Sequence, residues 1–410
     1  MPNIRIVVES IPGHTTITEK VNEGISLVLD DIITALTKPL TEEEKTPKSA
    51  DQENPSKVIF KGSLKEINHF FYRRGWTDGS PIIPPTEEEI AEMLTGTDLP
   101  ADYVVAKIMP RFGKATIEKI AINAVMAGCL PTYMPVLIAM VKATLDPKAN
   151  FDWQYSSAAS PGPLWVINGP VRNELRINSG RGLFSPGDIA NTAIGRAIGL
   201  IFKNIGGIRK GFEEMGGMGN PTKYTLVAGE NEEASPWEPL HVEYGFNKTD
   251  STVTMMTAGN NWNQTTANAG DIKGILNGMV NSLKTRTGWS PCLMISPIRA
   301  EALGKAGWTK KDVKTFLSEN VILPYLPESE RAGLAREESS VRYSPFNPGD
   351  PVRLLRNIED IMIFIAGGDW PGAGAVITGR GKTTVKIELP ANWNKLVAKY
   401  KNLVPTYTLY

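Results

Sequence analysis

Five short apolar runs alternate along this chain with longer segments whose apolar residues recur at helical spacing. That alternation limits the possible folds more than any other feature. The runs are Leu164–Ile167, Tyr224–Val227, Thr252–Met256, Cys292–Ile295 and Ile361–Ile365. Continuous apolar runs of this length predict strands covered on both faces. Among the helical segments, Ile117, Ile120, Ala121, Ala124, Val125 and Gly128 follow one stripe. Pro135 opens a helix over Val136–Leu145 that is apolar nearly all round, and so buried. Ile194, Ala197, Ile198, Ile201 and Ile205 stripe a helix over Asp188–Asn204, which Gly206 and Gly207 end. Ser63-x-x-Glu66 and Thr86-x-x-Glu89 start two more helices with capping boxes, Leu64 lying on the apolar face of the first, and Thr309-x-x-Asp312 opens a later one. The expectation is an α/β fold in which helices cover a mixed or mostly parallel sheet. The sequence shows no internal repeat.

Residues 1–58 differ in character. Ile4–Glu9 and Thr15–Glu19 read as a β-hairpin about Gly13-His14, and Ile25–Leu36 as a short helix. The segment Pro39–Lys57 is charged and proline-bearing, which marks a linker. This gives an N-terminal arm and linker over 1–58 and a main α/β body over 59–410. The arm is too small to keep a good core alone, so the expected assembly is a homo-oligomer or a hetero-complex.

Lys+Arg and Asp+Glu balance at 44 each. Nucleic acid is therefore not an expected partner, because its phosphates are gripped by a basic excess. No run of 18 apolar residues occurs, so no membrane span is expected. Met1–Ser10 carries Glu9 and alternates, unlike a signal peptide, which points to the cytoplasm. The two cysteines, Cys129 and Cys292, sit among apolar neighbours and read as buried thiols.

Each apolar run leads into a polar or glycine-rich turn. These turns are Asn168-Gly169-Pro170, Gly229-Glu230-Asn231, Gly259-Asn260-Asn261, Ser296-Pro297 and Gly367-Gly368-Asp369. In open α/β sheets ligands bind beyond the carboxyl ends of the strands. The densest polar stretch is 230–243, where Glu230, Glu232, Glu233, Glu238 and Glu243 accompany His241. Pro236 and Pro239 stiffen it. Carboxylates beside an imidazole suit general acid–base catalysis, giving Glu230, Glu232, Glu233, Glu238 and His241 as the candidate catalytic set. A carboxylate neighbour would raise the His241 pKa toward neutrality. A divalent metal is the other use of such a segment, with Glu233, Glu238 and His241 as its ligands and Glu238-x-x-His241 on one side of a helical turn. A solvated acidic loop with Trp237 plugging the core is the bland alternative.

Further candidates would bind a substrate's anionic or carbonyl group. They are Asp78, Asn168, Asn178, Ser179, Arg196, Asn261, Gly367 and Gly368. Arg172, Arg176, Arg181 and Arg196 cluster around a small-residue loop that precedes a helix start, an arrangement suited to an anion. Against this, Asp188 would itself occupy that helix start. The loop 367–374 lacks the spacing of a dinucleotide fingerprint, so no such cofactor is expected. Asp78 before Gly79 also suits an ordinary turn.

Several blocks carry a resemblance. GWTDGSPIIPPTEEEI (75–90), ATIEKIAINAVMAGCLPTYMPVLIA (115–139), VINGPVRNELRINSG (166–180) and ENEEASPWEPLHVEYGF (230–246) resemble a bacterial family, as do GWTKKDVKTFL (307–317) and IFIAGG (363–368). Its members are encoded beside, or fused to, a small protein named for its UGSC motif, with selenocysteine or cysteine in the first position. This chain has no such motif, since Leu130 follows Cys129 and Leu293 follows Cys292. The resemblance therefore implies a separate partner chain with the reactive sulfur or selenium, and it brings no known reaction with it. The leading expectation is a soluble enzyme acting on a small polar, carboxylate- or carbonyl-bearing substrate by acid–base chemistry, lyase- or hydratase-like or hydrolytic. The alternatives are a substrate-binding subunit of a redox complex whose partner carries the thiol or selenol, and a non-catalytic scaffold.

Overall fold

The structure, a computed structural model, describes residues 18–39, 41, 59–264, 270–284, 290–323, 352–355, 357–369 and 374–404. The chain divides into two units, Met1–Ser63 and Leu64–Tyr410. In the first, α1 (Thr18–Thr37) contains the helix expected over Ile25–Leu36. Thr18 and Glu19, read as the end of a hairpin strand, instead form its first turn, and the rest of that hairpin and Pro39–Lys57 lie largely outside the described residues. Among the described residues no helix is long and apolar enough to cross a membrane.

The second unit opens with α2 (Leu64–Arg73), α3 (Glu87–Leu94), the hairpin of β1 (Val104–Ile108) and β2 (Gly113–Thr116), α4 (Ile117–Ala127) and α5 (Met134–Ala143). Next come α6 (Trp153–Ser156), β3 (Gly162–Asn168), α7 (Val171–Glu174), α8 (Ile189–Asn204), β4 (Val227–Gly229), α9 (Leu240–Glu243) and β5 (Thr252–Gln264). The remainder runs α10 (Ile272–Lys284), β6 (Ser290–Ile295), α11 (Pro297–Lys305), α12 (Lys310–Asn320), β7 (Ile322–Leu323), β8 (Val352–Arg353), β9 (Met362–Ile365), β10 (Gly374–Lys386) and α13 (Trp393–Tyr400). At α3 the Thr86 hydroxyl accepts the Glu89 N–H. Thr309 and Asp312 close a reciprocal capping box on α12, and Gly128 ends α4 in the left-handed conformation. The α4 and α8 stripes are buried, while Leu64 and Leu145 prove exposed.

Six strands form one sheet in the order β4-β3-β5-β10-β6-β9. The outer pairs β3–β4 and β6–β9 are parallel, and the three inner pairings are antiparallel. The sheet is thus mixed and not mostly parallel. It curls until its two ends meet, the Asn231 amide donating to the Ile365 carbonyl at 2.7 Å. Alternation then sorts the strand residues into layers. Leu164 and Val166 point inward with Met256, Cys292 and Phe364. Trp165 and Ile167 point outward under α4, α5 and α8, while Leu293, Ile295 and Ile363 face α10, α11 and α12.

The sheet holds a repeat that the residue pattern did not disclose. A helix (α5 or α10) precedes a first strand (β3 or β6), and two helices then lead to a parallel neighbour (β4 or β9). A 13-residue strand (β5 or β10) returns antiparallel on the other side of the first strand. The two long strands pair at the centre, so a pseudo-two-fold axis relates the halves. The residues after each first strand match: Pro170-Val171-Arg172-Asn173-Glu174 and Pro297-Ile298-Arg299-Ala300-Glu301. Both arginines are buried. Other sequence expectations shift. Strand β4 begins only at Val227, and Gly259-Asn260-Asn261 lies inside β5 instead of beyond it.

Strand β10 departs from regular pairing with β5 between Arg380 and Lys382. Gly381 sits at that irregularity with φ +62°, and a Cβ there would meet the Lys148 carbonyl at 2.2 Å. The left-handed conformation alone costs a non-glycine residue roughly 1–2 kcal/mol. Gly381→Ala is expected to destabilise the fold by at least ~2 kcal/mol, read from the urea midpoint. An unchanged midpoint would show that the 148–150 turn yields freely.

Candidate functional site

The carboxyl ends of β3 and β4 lie side by side, because the two strands are parallel. Asn168 ends β3 and Glu230 comes directly after β4, and the Asn168 amide donates to Glu230 Oε2 at 2.5 Å. The same amide donates to Glu232 Oε1 at 3.0 Å, which also accepts the Gly169 N–H at 2.7 Å. Gly169 is required there: its φ is +82°, and a Cβ would lie 2.1 Å from the Asp250 carbonyl. Arg172, buried at the second position of α7, sets its Nε 3.1 Å from Glu232 and its Nη2 2.8 Å from Glu233.

Glu230 is wholly buried and touches three elements. Besides Asn168 it accepts the Leu240 N–H at 2.7 Å, at the start of α9, and the Ile365 N–H at 3.5 Å, at the end of β9. Burial pushes its carboxyl above the ordinary range, opposed by the Lys310 ammonium and by the Leu240 and Asn168 bonds. His241 is also wholly buried. Its Nδ1 lies 3.9 Å from Glu232 Oε1, and the Lys248 backbone is the other polar group beside the ring. The expected rise in the His241 pKa is not what the structure gives. Burial lowers it, outweighing Glu232 and the Lys248 backbone, so the ring is held toward its neutral form. The neighbouring Asn168 Oδ1 and Thr252 Oγ1 are buried without partners.

A second set of charges adjoins this one from the other half of the fold. Glu243, at the end of α9, accepts from Lys310 Nζ at 3.1 Å and from Lys314 Nζ. Both lysines are buried. Burial works against the Glu243 carboxylate, yet the two ammoniums hold its pKa down. Lys382, on β10, donates to the Glu359 carbonyl and sits 5.3 Å from the Tyr244 ring centre. Burial, aided by Lys314, lowers its pKa to about 8. Tyr244 feels Glu243, Cys292 and Glu230 together, and its buried hydroxyl has no partner. These groups form one ionisable layer across both halves.

The remaining expected site residues divide. Asn178 and Ser179 reach this end of the sheet through their backbone, Gly229 N donating to Asn178 O at 3.0 Å and Gly367 N to Ser179 O at 2.9 Å. Gly368 packs against Arg181, whose Cα would be 3.1 Å from an added Cβ. The Asn178 side chain is spent on Asp188, the Arg181 carbonyl and the Gly180 N–H. Asp188 sits at the N-cap position of α8, as its position suggested, but its carboxylate accepts from Asn178 and does not cap the helix. Asp78 and Arg196 lie elsewhere, locked on each other at 2.8 and 3.0 Å. Arg176 donates to the Val404 carbonyl. Glu233 is held by Arg172 and Asn173, which overcome burial and bring its pKa to about 2. Glu238 is exposed. The structure therefore does not bring Glu233, Glu238 and His241 together as ligands, and among the described residues no three His, Cys, Asp or Glu side chains are placed to hold a metal. The Asn261 side chain lies outside the described part of the structure. Cys129 and Cys292 are buried, and burial drives both thiol pKa values up, which leaves neither as a nucleophile.

Lys310, Lys314 and Lys382 were not expected at the site. A signal existed for two of them: Lys310, Val313, Lys314 and Leu317 follow one helical stripe, which places both lysines on the buried face. Because the folded pKa of Lys382 lies below the unfolded value near 10.5, the unfolded chain binds more protons between about pH 8 and 10.5. Stability contributed by this group therefore rises with pH across that window. Lys382→Met is expected to raise the urea midpoint at pH 7 and to remove that rise. An unchanged pH profile would show the ammonium to be solvated.

Comparison with known proteins leaves the assignment to this geometry: no family model matches the chain, and no match is found among curated proteins or among solved structures.

Proposed function

We propose that this protein is an enzyme that moves a proton on a small substrate bearing a carboxylate or carbonyl group, in a lyase- or hydratase-type reaction, at the layer of Glu230, Glu232, His241, Lys310, Glu243, Lys314 and Lys382. The observation that carries this reading is a pair of opposite shifts in one layer. The Glu230 carboxyl is raised and the Lys382 ammonium is lowered to about 8, so both are moved toward neutral pH. Groups displaced in this way are suited to give and take protons there. Desolvation is the main cause of both shifts, and it costs stability that a purely structural layer would not need.

The donors of the layer support the substrate class. Arg172, Lys310 and Lys314 stand as cations against Glu232, Glu233 and Glu243, while Glu230 and Lys382 are both shifted toward their neutral forms. The charges are matched within the layer, and the N–H donors of Lys310 and Lys314 suit a carboxylate or carbonyl oxygen. In the proposed roles Glu230 donates a proton, Lys382 accepts one, and Lys310 with Lys314 orients the anion. Arg172 and Asn168 position Glu232 and Glu230. Neutral His241 stands as a hydrogen-bond donor and acceptor.

The test is proton exchange in D₂O, followed by NMR, over a panel of 2-oxo acids, 3-oxo acids and hydroxy acids. Wild-type protein is expected to exchange or eliminate the proton next to the carbonyl in at least one class. Glu230→Gln and Lys382→Met are each expected to lower that rate by roughly 10²–10⁴. A panel with no exchange, or variants as fast as wild type, defeats the reading.

A further inference from the structure

A second site lies on the outer face of the first half, and it rests on none of the residues of the ionisable layer. A cavity of about 200 Å³ opens between α8, the first half of β3, α6 and the chain around 208–226. Its apolar wall joins the aromatic Tyr155, Trp165 and Phe202 to the aliphatic Ile198, Ile208 and Leu226. Gly195 and Gly199, one turn apart on α8, also line it. An engineered cavity of about 150 Å³ holds a benzene ring. The present one is therefore sized for a single or small fused ring.

Two buried polar atoms of lining residues suggest what such a ring must carry. Trp165 is fully buried, and its Nε1–H has no hydrogen-bond partner. Thr222 Oγ1, also on the wall, is buried without one. An indole N–H can only donate, so its missing partner is an acceptor. Charge gives the sign. Lys203, Lys210 and Lys223 line the cavity against Asp78 and Glu214, and Asp78 is already matched by Arg196 at 2.8 Å. Lys223 is matched by Glu214, while Lys203 donates to the neutral Gly75 carbonyl. Burial depresses the pKa values of Lys203 and Lys223, which is the cost a bound anion relieves.

We propose that this cavity is a binding site for a small aromatic carboxylate, its ring among Tyr155, Trp165 and Phe202 and its carboxylate accepting from Trp165 Nε1 and Thr222 Oγ1 beside Lys203. Asp78 lines the cavity with its charge answered by Arg196, so Lys203 and the exposed Lys210 remain as cations beside the ligand.

The test uses the full chain and three probes, benzoate, indole-3-acetate and uncharged indole, with binding followed by calorimetry and ligand-observed NMR. At least one carboxylate is expected to saturate the protein at a 1:1 ratio, at least roughly tenfold more tightly than indole. Thr222→Val keeps the shape of the side chain and removes an unsatisfied hydroxyl. It is expected to leave the melting temperature unchanged or raised while weakening the carboxylate roughly fivefold. Trp165→Phe, checked for folding by circular dichroism, is expected to weaken it roughly tenfold or more. The proposal is overturned by no saturable carboxylate binding up to millimolar concentration. It is also overturned by indole binding as well as the carboxylates, or by a folded Thr222→Val protein that binds them as wild type does.

Discussion

The buried carboxylate of Glu230 is the contact on which the closed form of this sheet depends. One oxygen accepts from Asn168 and from the Leu240 N–H, fixing the end of β3 and the start of α9. The other faces the Ile365 N–H of β9, at the opposite edge of the sheet. Where the two edges meet, backbone groups would otherwise lack partners, and an unpaired buried amide is costly. A hydrophobic residue at position 230 would fill space but could not accept these protons. The constraint is thus chemical before it is geometric: the curl requires a multiple acceptor at this point. The acceptor the chain supplies there is an ionisable one, and burial then displaces its pKa.

The repeated unit explains where the charge gathers. Each half places a buried arginine just beyond its first strand, in Pro170-Val171-Arg172 and in Pro297-Ile298-Arg299. The halves then diverge beyond the second strand. After β4 comes the acidic segment 230–243, which answers Arg172 with Glu232 and Glu233. After β9 comes a glycine-rich segment whose Gly367 and Gly368 let the backbone approach Ser179 and Arg181. The lysines of α12 belong to the second half, and the carboxylate they hold, Glu243, belongs to the first. The ionisable layer therefore requires both halves.

Much of the helical framework could be read in the sequence, because α4, α5, α8 and α12 declare themselves by spacing and caps that tertiary contacts did not override. Strand β10 could not. Gly379, Arg380, Gly381 and Lys382 interrupt its apolar residues, and it is a strand because β5 and β6 supply partners on both sides. The repeat was hidden for the same reason, since one of its two long strands was unseen. The acidic segment was located correctly as a polar cluster, but its ionisation was not legible. Whether a carboxylate raises an imidazole pKa or burial lowers it depends on depth, which residue spacing does not encode. Glu238 and Glu230 look alike in sequence; one is exposed and the other wholly buried.

The expense of the layer argues against reading it as scaffold alone. Buried ion pairs are commonly neutral or worse against well-packed apolar residues of similar volume. Sequences that need only to pack such a space can use leucine or methionine, as the neighbouring Leu164, Met256 and Phe364 do. Here Arg172, Lys310, Lys314, Glu230 and His241 are buried beside the same sheet, with Lys382 on its central strand β10, and Asn168 Oδ1, Thr252 Oγ1 and Tyr244 Oη lack partners. A network built to specify the fold would be complete, because an incomplete one is worse than none. Under the proposed function these open donors and acceptors are the groups that a polar substrate would meet.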